Sequence, residues 1–129
     1  MHLLAPGTIQ SYRDLQVWQQ AMDLAEHCYR ATRLFPKEEL YGAVTQIRRA
    51  AASVPANIAE GNGRETRGEY IQFLRIAQGS LKEVETHVLL AQRVGLAEQV
   101  ECTAILNECE AVGKMLRALI RSLQSKGKV

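Results

Sequence analysis

The chain has 129 residues, which is enough for one domain with a substantial core and excludes a second one. Hydrophobic residues make up 47% of it with two Phe and one Trp, a composition that favours packed helices with an aliphatic interior. With a net charge of +2 and no sustained apolar run, the chain is not expected to span a membrane or carry a secretory signal. We therefore expect a cytoplasmic protein.

The cysteines and histidines lack the spacing that disulfide frameworks and metal sites require. Cys28, Cys102 and Cys109 are odd in number and form no C-x-x-C pair, so we expect them to be small core residues. A di-metal bundle needs Glu-x-x-His on two helices, and neither His27 nor His87 follows a glutamate by three residues. Each histidine is expected at the surface or its boundary. The sequence predicts no catalytic residue, no metal and no cofactor, and we expect the protein not to be an enzyme.

Four segments repeat apolar residues at alternating steps of three and four, which is typical of helices with one buried seam. The first two predicted seams are Leu15, Trp18, Met22, Ala25, Tyr29 and Thr32, and Leu40, Val44, Ile47, Ala51, Val54 and Ile58. The other two are Tyr70, Leu74, Ala77, Leu81, Val84, Val88 and Ala91, and Cys102, Ile105, Cys109, Val112, Leu116, Leu119 and Leu123.

The connections between these segments are short, near residues 36–38, 61–66 and 95–97, so neighbouring helices are expected to be antiparallel. Thr66 with Glu69 fits a capping box at the start of the third helix, and Gly95 is a suitable stop at its end. We predict an all-α, up-down-up-down four-helix bundle over residues 13–126, with an N-terminal arm at 1–12 and a C-terminal tail at 127–129.

The stretch QIRRAAASVPANIAEGNGR, residues 46–64, places a proline inside the second predicted helix. Pro55 cannot donate a hydrogen bond to the carbonyl of Ala51, so we expect a kink near these residues, or a break with Ser53 capping a new segment. The Gly-Asn-Gly-Arg at its end lacks the Lys-Ser/Thr of a P-loop and does not follow a strand. We interpret Gly61 as the helix stop and residues 62–63 as a tight turn.

A small polar face lies opposite the apolar seam of the second helix. At about 100° per residue, Arg49, Ser53, Asn57 and Glu60 fall within roughly 80° of one another, and alanines share that side. A solvated face is the ordinary interpretation, but small residues with a few hydrogen-bonding groups also permit close approach of another helix. We predict that these residues form a subunit interface.

Two basic rows lie on the outer sides of the third and fourth predicted helices. The row on the third helix is Arg75, Lys82 and Arg93. The row on the fourth is Lys114, Arg117, Arg121 and Lys128, within an acid-free stretch that begins at residue 111. Such faces bind phosphate backbones without reading sequence, although they also serve as solubilising surfaces. We treat these residues as a candidate nucleic-acid-binding surface.

Residues 12–96 resemble the four-helix-bundle proteins known as 23S rRNA intervening-sequence proteins. The resemblance rests on motifs that stand in order: VW in the first helix, then QIRRAA, NIAEG and GSLKEVET. NIAEG occupies residues 57–61, and GS corresponds to Gly79 and Ser80. A glycine in the middle of a helix suggests a close contact with a neighbouring helix at that point. The fourth helix matches by its periodicity.

The resemblance implies a bacterial, cytoplasmic bundle that forms ring-like homo-oligomers, with pentamers expected, and it carries over no catalytic residue. The accessory protein of diversity-generating retroelements is similar in architecture, and it is a basic pentamer that contacts a reverse transcriptase and nucleic acid. Two functions stay open. The first is a self-assembling bundle whose basic rows bind RNA or DNA. The alternative is a scaffold or accessory subunit for a protein, such as a reverse transcriptase-like partner, without nucleic-acid binding of its own.

Overall fold

A computed structural model describes residues 10–126, which fold as four helices with no β-strand among them. The helices are α1 (Gln16–Thr32), α2 (Thr45–Asn62), α3 (Arg67–Arg93) and α4 (Gln99–Lys126). A 3-10 turn at Tyr12–Asp14 precedes α1, and the connection to α2 contains a 3-10 turn at Lys37–Glu39 and a π-helical turn at Leu40–Val44. Successive helices pack together and α4 packs against α1, which confirms the predicted all-α, up-down-up-down four-helix bundle. Residues 1–9 of the predicted arm and the predicted tail at 127–129 lie outside the described residues.

The core consists of aliphatic and small side chains. The predicted seams are confirmed from Val44, just before α2, to Ile58 and from Leu74 to Ala91 in α3. Leu40, predicted to begin the second seam, is 45% exposed because it lies in the π-helical turn before α2. Near the end of α4, Ile120 is buried in place of the predicted Leu119. All three cysteines are buried, as expected of small core residues. Within residues 10–126, no helix has the length and apolarity that crossing a membrane requires.

The seam predicted for α1 is wrong by about one position. The buried residues of this helix are Val17, Ala21, Leu24, Ala25, Cys28 and Thr32. Met22 and Tyr29 from the predicted seam are instead 43% and 41% exposed. Two apolar stripes run side by side along α1, and its position against α2 and α4 buries the stripe of smaller residues. The bulkier stripe, which includes Trp18, lies at the edge of the core and is partly open to solvent.

Helix α2 continues through Pro55 without a break. The predicted new segment capped by Ser53 is therefore not formed. The hydroxyl of Ser53 is instead hydrogen-bonded to Ser80 of α3. The expected kink near Pro55 stays a prediction. The backbone departs from helical geometry earlier, at Gly42 in the π-helical turn, with φ −114° and ψ −109°.

Gly61 does not end α2, because the helix runs on to Asn62. Gly61 is buried, and a Cβ at this position would lie 2.8 Å from Phe73 Cβ and 3.2 Å from the carbonyl oxygen of Tyr70. Its missing side chain therefore lets α3 approach the last turn of α2. The helix ends at Gly63 in right-handed backbone with φ −83°, so the stop does not depend on a left-handed glycine.

The predicted ends of α3 are confirmed, but only half of the predicted capping box forms, because the Glu69 carboxylate accepts a hydrogen bond from the Thr66 hydroxyl. Thr66 is the N-cap, and its hydroxyl accepts a hydrogen bond of 3.1 Å from the backbone N–H of Glu69. At the other end Gly95 has a φ of +83°, the left-handed conformation that glycine adopts without cost. The N–H of Leu96 donates to the carbonyl of Ala91 at 2.8 Å, which is the hydrogen bond of a Schellman motif. This turn reverses the chain into α4.

Candidate nucleic-acid interface

The candidate basic residues that fall within the described part of the chain are all exposed on α3 and α4. Lys128 lies outside the described residues. Lys82 Nζ is 3.2 Å from Glu85 and Lys114 Nζ is 3.5 Å from Glu110, so both lysines are partly neutralised. No ion pair among residues 10–126 involves the four arginines of the two rows, Arg75, Arg93, Arg117 and Arg121. The arginines therefore keep their full capacity to bind an anion.

The antiparallel register of α3 and α4 brings three of these arginines to one end of the bundle. A Cβ at Gly113 would lie 3.9 Å from Leu81 Cδ1, so these two positions are level with each other. Arg75 precedes Leu81 by six residues and is therefore level with residue 119, between Arg117 and Arg121. Arg93 lies toward the opposite end. We call Arg75, Arg117 and Arg121 the arginine cluster.

A groove runs between α3 and α4 beside this cluster. Its lining includes Gly79, Lys82, Gly113 and Arg117. A Cβ at Gly79 would meet nothing within 4 Å, so the close helix contact expected at this glycine is not made within the chain. Glu85 and Glu110 also line the groove, and their charges offset the lysines. The uncompensated positive charge therefore lies at the arginine cluster.

Helix α4 separates its charges along its length. Residues 98–110 carry four glutamates and no basic residue, whereas residues 111–126 carry two lysines and two arginines and no acid. Acids near the start and bases near the end complement the helix dipole, and this contributes a modest stabilisation. The same separation gives the arginine cluster a surface without acidic residues from α4.

The four residues predicted as a subunit interface divide into two pairs. Arg49 and Glu60 are exposed on the outward side of α2, where Glu60 Oε1 is 2.8 Å from Arg64 Nη2. Ser53 and Asn57 are half-buried and bonded within the chain. Asn57 Nδ2 donates to the carbonyl oxygen of Ser53 at 2.8 Å and to its hydroxyl at 2.9 Å. Ser53 and Asn57 therefore serve the packing of α2 on α3, through the bond of Ser53 to Ser80, and Arg49 and Glu60 are the members available to a partner.

Beside this face lies an apolar groove between α1 and α2. The sequence did not predict it, because Trp18, Met22 and Tyr29, which line it, were assigned to the core. It is lined by Tyr12, Trp18, Met22, Ala25, Glu26, Tyr29, Ala52, Pro55, Ala56 and Ala59. The α2 side is almost entirely alanine, which leaves room for a partner, and the α1 side presents partly exposed large side chains. We call this surface the α1/α2 groove. Its signal in the sequence is the second apolar stripe of α1.

A polar cluster that the sequence did not predict lies between α1 and α4. Both ring nitrogens of His27 contact carboxylates of α4: Nδ1 lies 2.7 Å from Glu108 Oε2, and Nε2 is hydrogen-bonded to Glu101 Oε1. Burial lowers the pKa of this imidazole, but the hydrogen bonds and charges of Glu108 and Glu101 outweigh burial and raise it above its ordinary value. His27 is at the boundary of the core, as expected. Its two carboxylate partners could not be predicted from sequence, because they depend on how α1 is aligned against α4.

A cavity of about 370 Å³ opens next to this cluster at one end of the bundle. Its lining is largely apolar and includes Cys28, Cys102 and Glu101. Burial, with the charges of Glu108 and Glu101, raises the pKa of the Cys28 thiol to about 12, and burial raises the pKa of Cys102. These thiols are therefore poor nucleophiles. No group of three or more potential metal-ligating side chains is found in the described part of the chain.

Comparison with known proteins agrees with the fold and the motifs. A profile of the family described as 23S rRNA-intervening sequence protein matches residues 13–118. No match was found among curated proteins. A solved structure from Bacteroides thetaiotaomicron, a protein with unknown function from the S23 ribosomal protein family, is similar with a TM-score of 0.73 and 23% identity over 81% of this chain and 97% of that one. Since the profile covers most of the chain, this protein belongs to the 23S rRNA-intervening sequence protein family.

Proposed function

We propose that this protein is a non-enzymatic, self-assembling helical bundle of the bacterial cytoplasm that binds the backbone of RNA or DNA through the arginine cluster. The observation that supports the proposal is that Arg75, Arg117 and Arg121, which the register of α3 and α4 places at the same end of the bundle, form no ion pair within the described residues. A guanidinium presents several donors in a planar fork that suits phosphate oxygens. Binding of this kind positions a nucleic acid without reading its bases.

Self-assembly would multiply the effect of the cluster. A single copy offers the three unpaired arginines of the cluster at a net charge of +2, which favours weak binding. A ring-like homo-oligomer, for which we propose a pentamer, would present one such cluster per copy to the same nucleic acid. Linked weak contacts then act together and raise the overall affinity. The α1/α2 groove and the outward residues Arg49 and Glu60 are the surfaces that we propose for contact between copies.

The direct test is a titration of the purified protein with a structured RNA at several salt concentrations. Binding through phosphates predicts that the logarithm of the association constant falls linearly with the logarithm of salt, by about 0.9 per contacted phosphate on a duplex and about 0.7 on a single strand. Absence of binding at low salt would refute the proposal.

The second candidate is a scaffold or accessory subunit that binds a protein, with the arginines serving solubility. The α1/α2 groove favours it, because Met22 and Tyr29 expose large apolar surfaces of the kind that protein partners cover. A reverse transcriptase-like protein is one such partner. Changing Arg75, Arg117 and Arg121 to Glu distinguishes the two candidate functions. A scaffold should still bind its protein partner, whereas a nucleic-acid-binding protein should no longer bind RNA.

A further inference from the structure

We propose that His27, Glu101 and Glu108 form a proton-operated clamp that holds α4 against α1 while the imidazole is charged and releases it when the ring loses its proton. Each ring nitrogen faces a carboxylate oxygen, with Nδ1 2.7 Å from Glu108 Oε2 and Nε2 bonded to Glu101 Oε1. A neutral imidazole has one N–H and one lone pair, so it can donate to one of these carboxylates and must repel the other. The charged ring donates to both.

The clamp joins helices at a place where other packing is limited. Glu101 and Glu108 are seven residues apart on the same side of α4, so His27 spans about two helical turns. The α1–α4 contact is the least extensive of the four contacts between neighbouring helices in the bundle. Loss of the charged bridge therefore weakens this contact, by a modest amount because all three side chains are partly exposed.

Among residues 10–126, no charged side chain other than Glu101 and Glu108 bonds to the His27 ring. On α1 itself, Glu26 pairs with Arg30 at 2.6 Å, and Asp23 lies one turn before the histidine. On α2, Arg48 donates to Thr32 Oγ1 at 2.9 Å. Across the described residues of all four helices, Glu108 and Glu101 are the groups whose charges act on the pKa of His27.

The direction of the pH effect follows from these partners. Burial lowers the pKa of His27, but the two glutamates raise it further, so the folded pKa lies above the unfolded value of 6.5. The folded state thus binds the proton more tightly than the unfolded chain does. The clamp contributes its full stabilisation below about pH 6.5 and loses it as the pH rises through the folded pKa.

Denaturant unfolding at a fixed protein concentration, measured between pH 6 and pH 8 so that the thiols of the unfolded chain, with a pKa of 9.0, stay largely protonated, tests the clamp. We expect the equilibrium constant for unfolding to rise with pH by up to about tenfold per pH unit between the two pKa values. This rise should disappear in His27→Gln. The matched control is His87→Gln, the other histidine in the described part of the chain, which should keep the rise. A rise that persists in His27→Gln, or that disappears in His87→Gln, would overturn the proposal.

Nitrogen NMR of the His27 ring provides a second test that does not depend on unfolding. Both ring nitrogens should carry protons at pH 6.5, and the folded pKa should fall in Glu101→Gln and again in Glu108→Gln. These variants keep the histidine and the shape of each side chain, so they test the clamp even if His27→Gln fails to fold. A neutral ring at pH 6.5, or a pKa that neither glutamine variant changes, would rule the clamp out.

Discussion

The hydroxyls of Ser53 and Ser80 lie 2.8 Å apart across the interface of α2 and α3 and are hydrogen-bonded. Ser80 is 5% exposed, and Asn57 donates a second hydrogen bond to Ser53 at 2.9 Å. Asn57 begins the NIAEG motif and Ser80 belongs to the GSLKEVET motif, so residues from two separate motifs meet in one network. Two of the motifs on which the resemblance rests therefore contribute side chains to one polar contact between α2 and α3.

This network predicts coupled losses of stability. Ser80→Ala should lower the free energy of unfolding by about 1 kcal/mol, because it removes a buried hydrogen-bond partner of Ser53. The double variant with Ser53→Ala should lose less unfolding free energy than the sum of the two single losses, since both changes break the same bond. Urea unfolding of the four proteins measures this. Strict additivity would show that the two hydroxyls do not interact.

Gly61 of α2 and Gly79 of α3 should respond oppositely to substitution by alanine. Gly61→Ala places a Cβ 2.8 Å from Phe73 Cβ, and we expect it to cost about 1–3 kcal/mol because α3 must move away. Gly79→Ala meets nothing within 4 Å and should stabilise the isolated bundle by up to about 1 kcal/mol through helix propensity. Thermal unfolding compares them. Similar effects at both sites would contradict the packing described for Gly61.

The arginine cluster predicts a graded loss of RNA binding. Each of Arg75→Gln, Arg117→Gln and Arg121→Gln should reduce the slope of log affinity against log salt by about 1. The matched control is Arg30→Gln, an exposed arginine on α1 that is already paired with Glu26 at 2.6 Å. Filter binding or fluorescence anisotropy at several salt concentrations measures the slopes. Equal losses in the control would indicate that net charge alone governs binding.

The α1/α2 groove predicts where copies of the chain meet. Ala56→Arg places a long charged side chain in this groove, and light scattering should show a smaller assembly because the charge cannot be desolvated at an apolar contact. Ala111→Arg, on an exposed position of α4, adds the same charge away from the groove and should leave the mass unchanged. A wild-type protein that is monomeric at all concentrations would remove the basis for this interface.

The cysteines predict a protein without reactive thiols in its native state. Cys28 is fully buried, and its pKa of about 12 against 9.0 for a free thiol lowers the thiolate fraction about a thousandfold. Cys102 and Cys109 are each 1% exposed. Alkylation at pH 8 should therefore proceed at the rate of unfolding and should accelerate in denaturant. Rapid native labelling of any cysteine would show that the bundle opens locally.

The helices and their order follow from sequence, because a period of 3.6 residues is a local property of the chain. For α3, one apolar stripe, a threonine N-cap and a left-handed glycine all agree, and the prediction holds at both ends. For α1, two apolar stripes compete, and local pattern cannot say which one α2 and α4 cover. Pro55 likewise predicts a kink or break in the helix, whereas α2 continues through it and buries its ring.

The polar residues show most clearly which features depend on sequence alone and which depend on tertiary structure. The sequence by itself determined that this is an all-α bundle with basic rows on its last two helices and no recognisable catalytic motif. The tertiary structure decided which charges remain unpaired, that Arg75 is level with the part of α4 between Arg117 and Arg121, and which residues meet: Ser53 with Ser80, and His27 with two glutamates more than seventy residues away. Each of these pairings depends on the relative shift and rotation of packed helices, which the periodicity of a single helix does not contain.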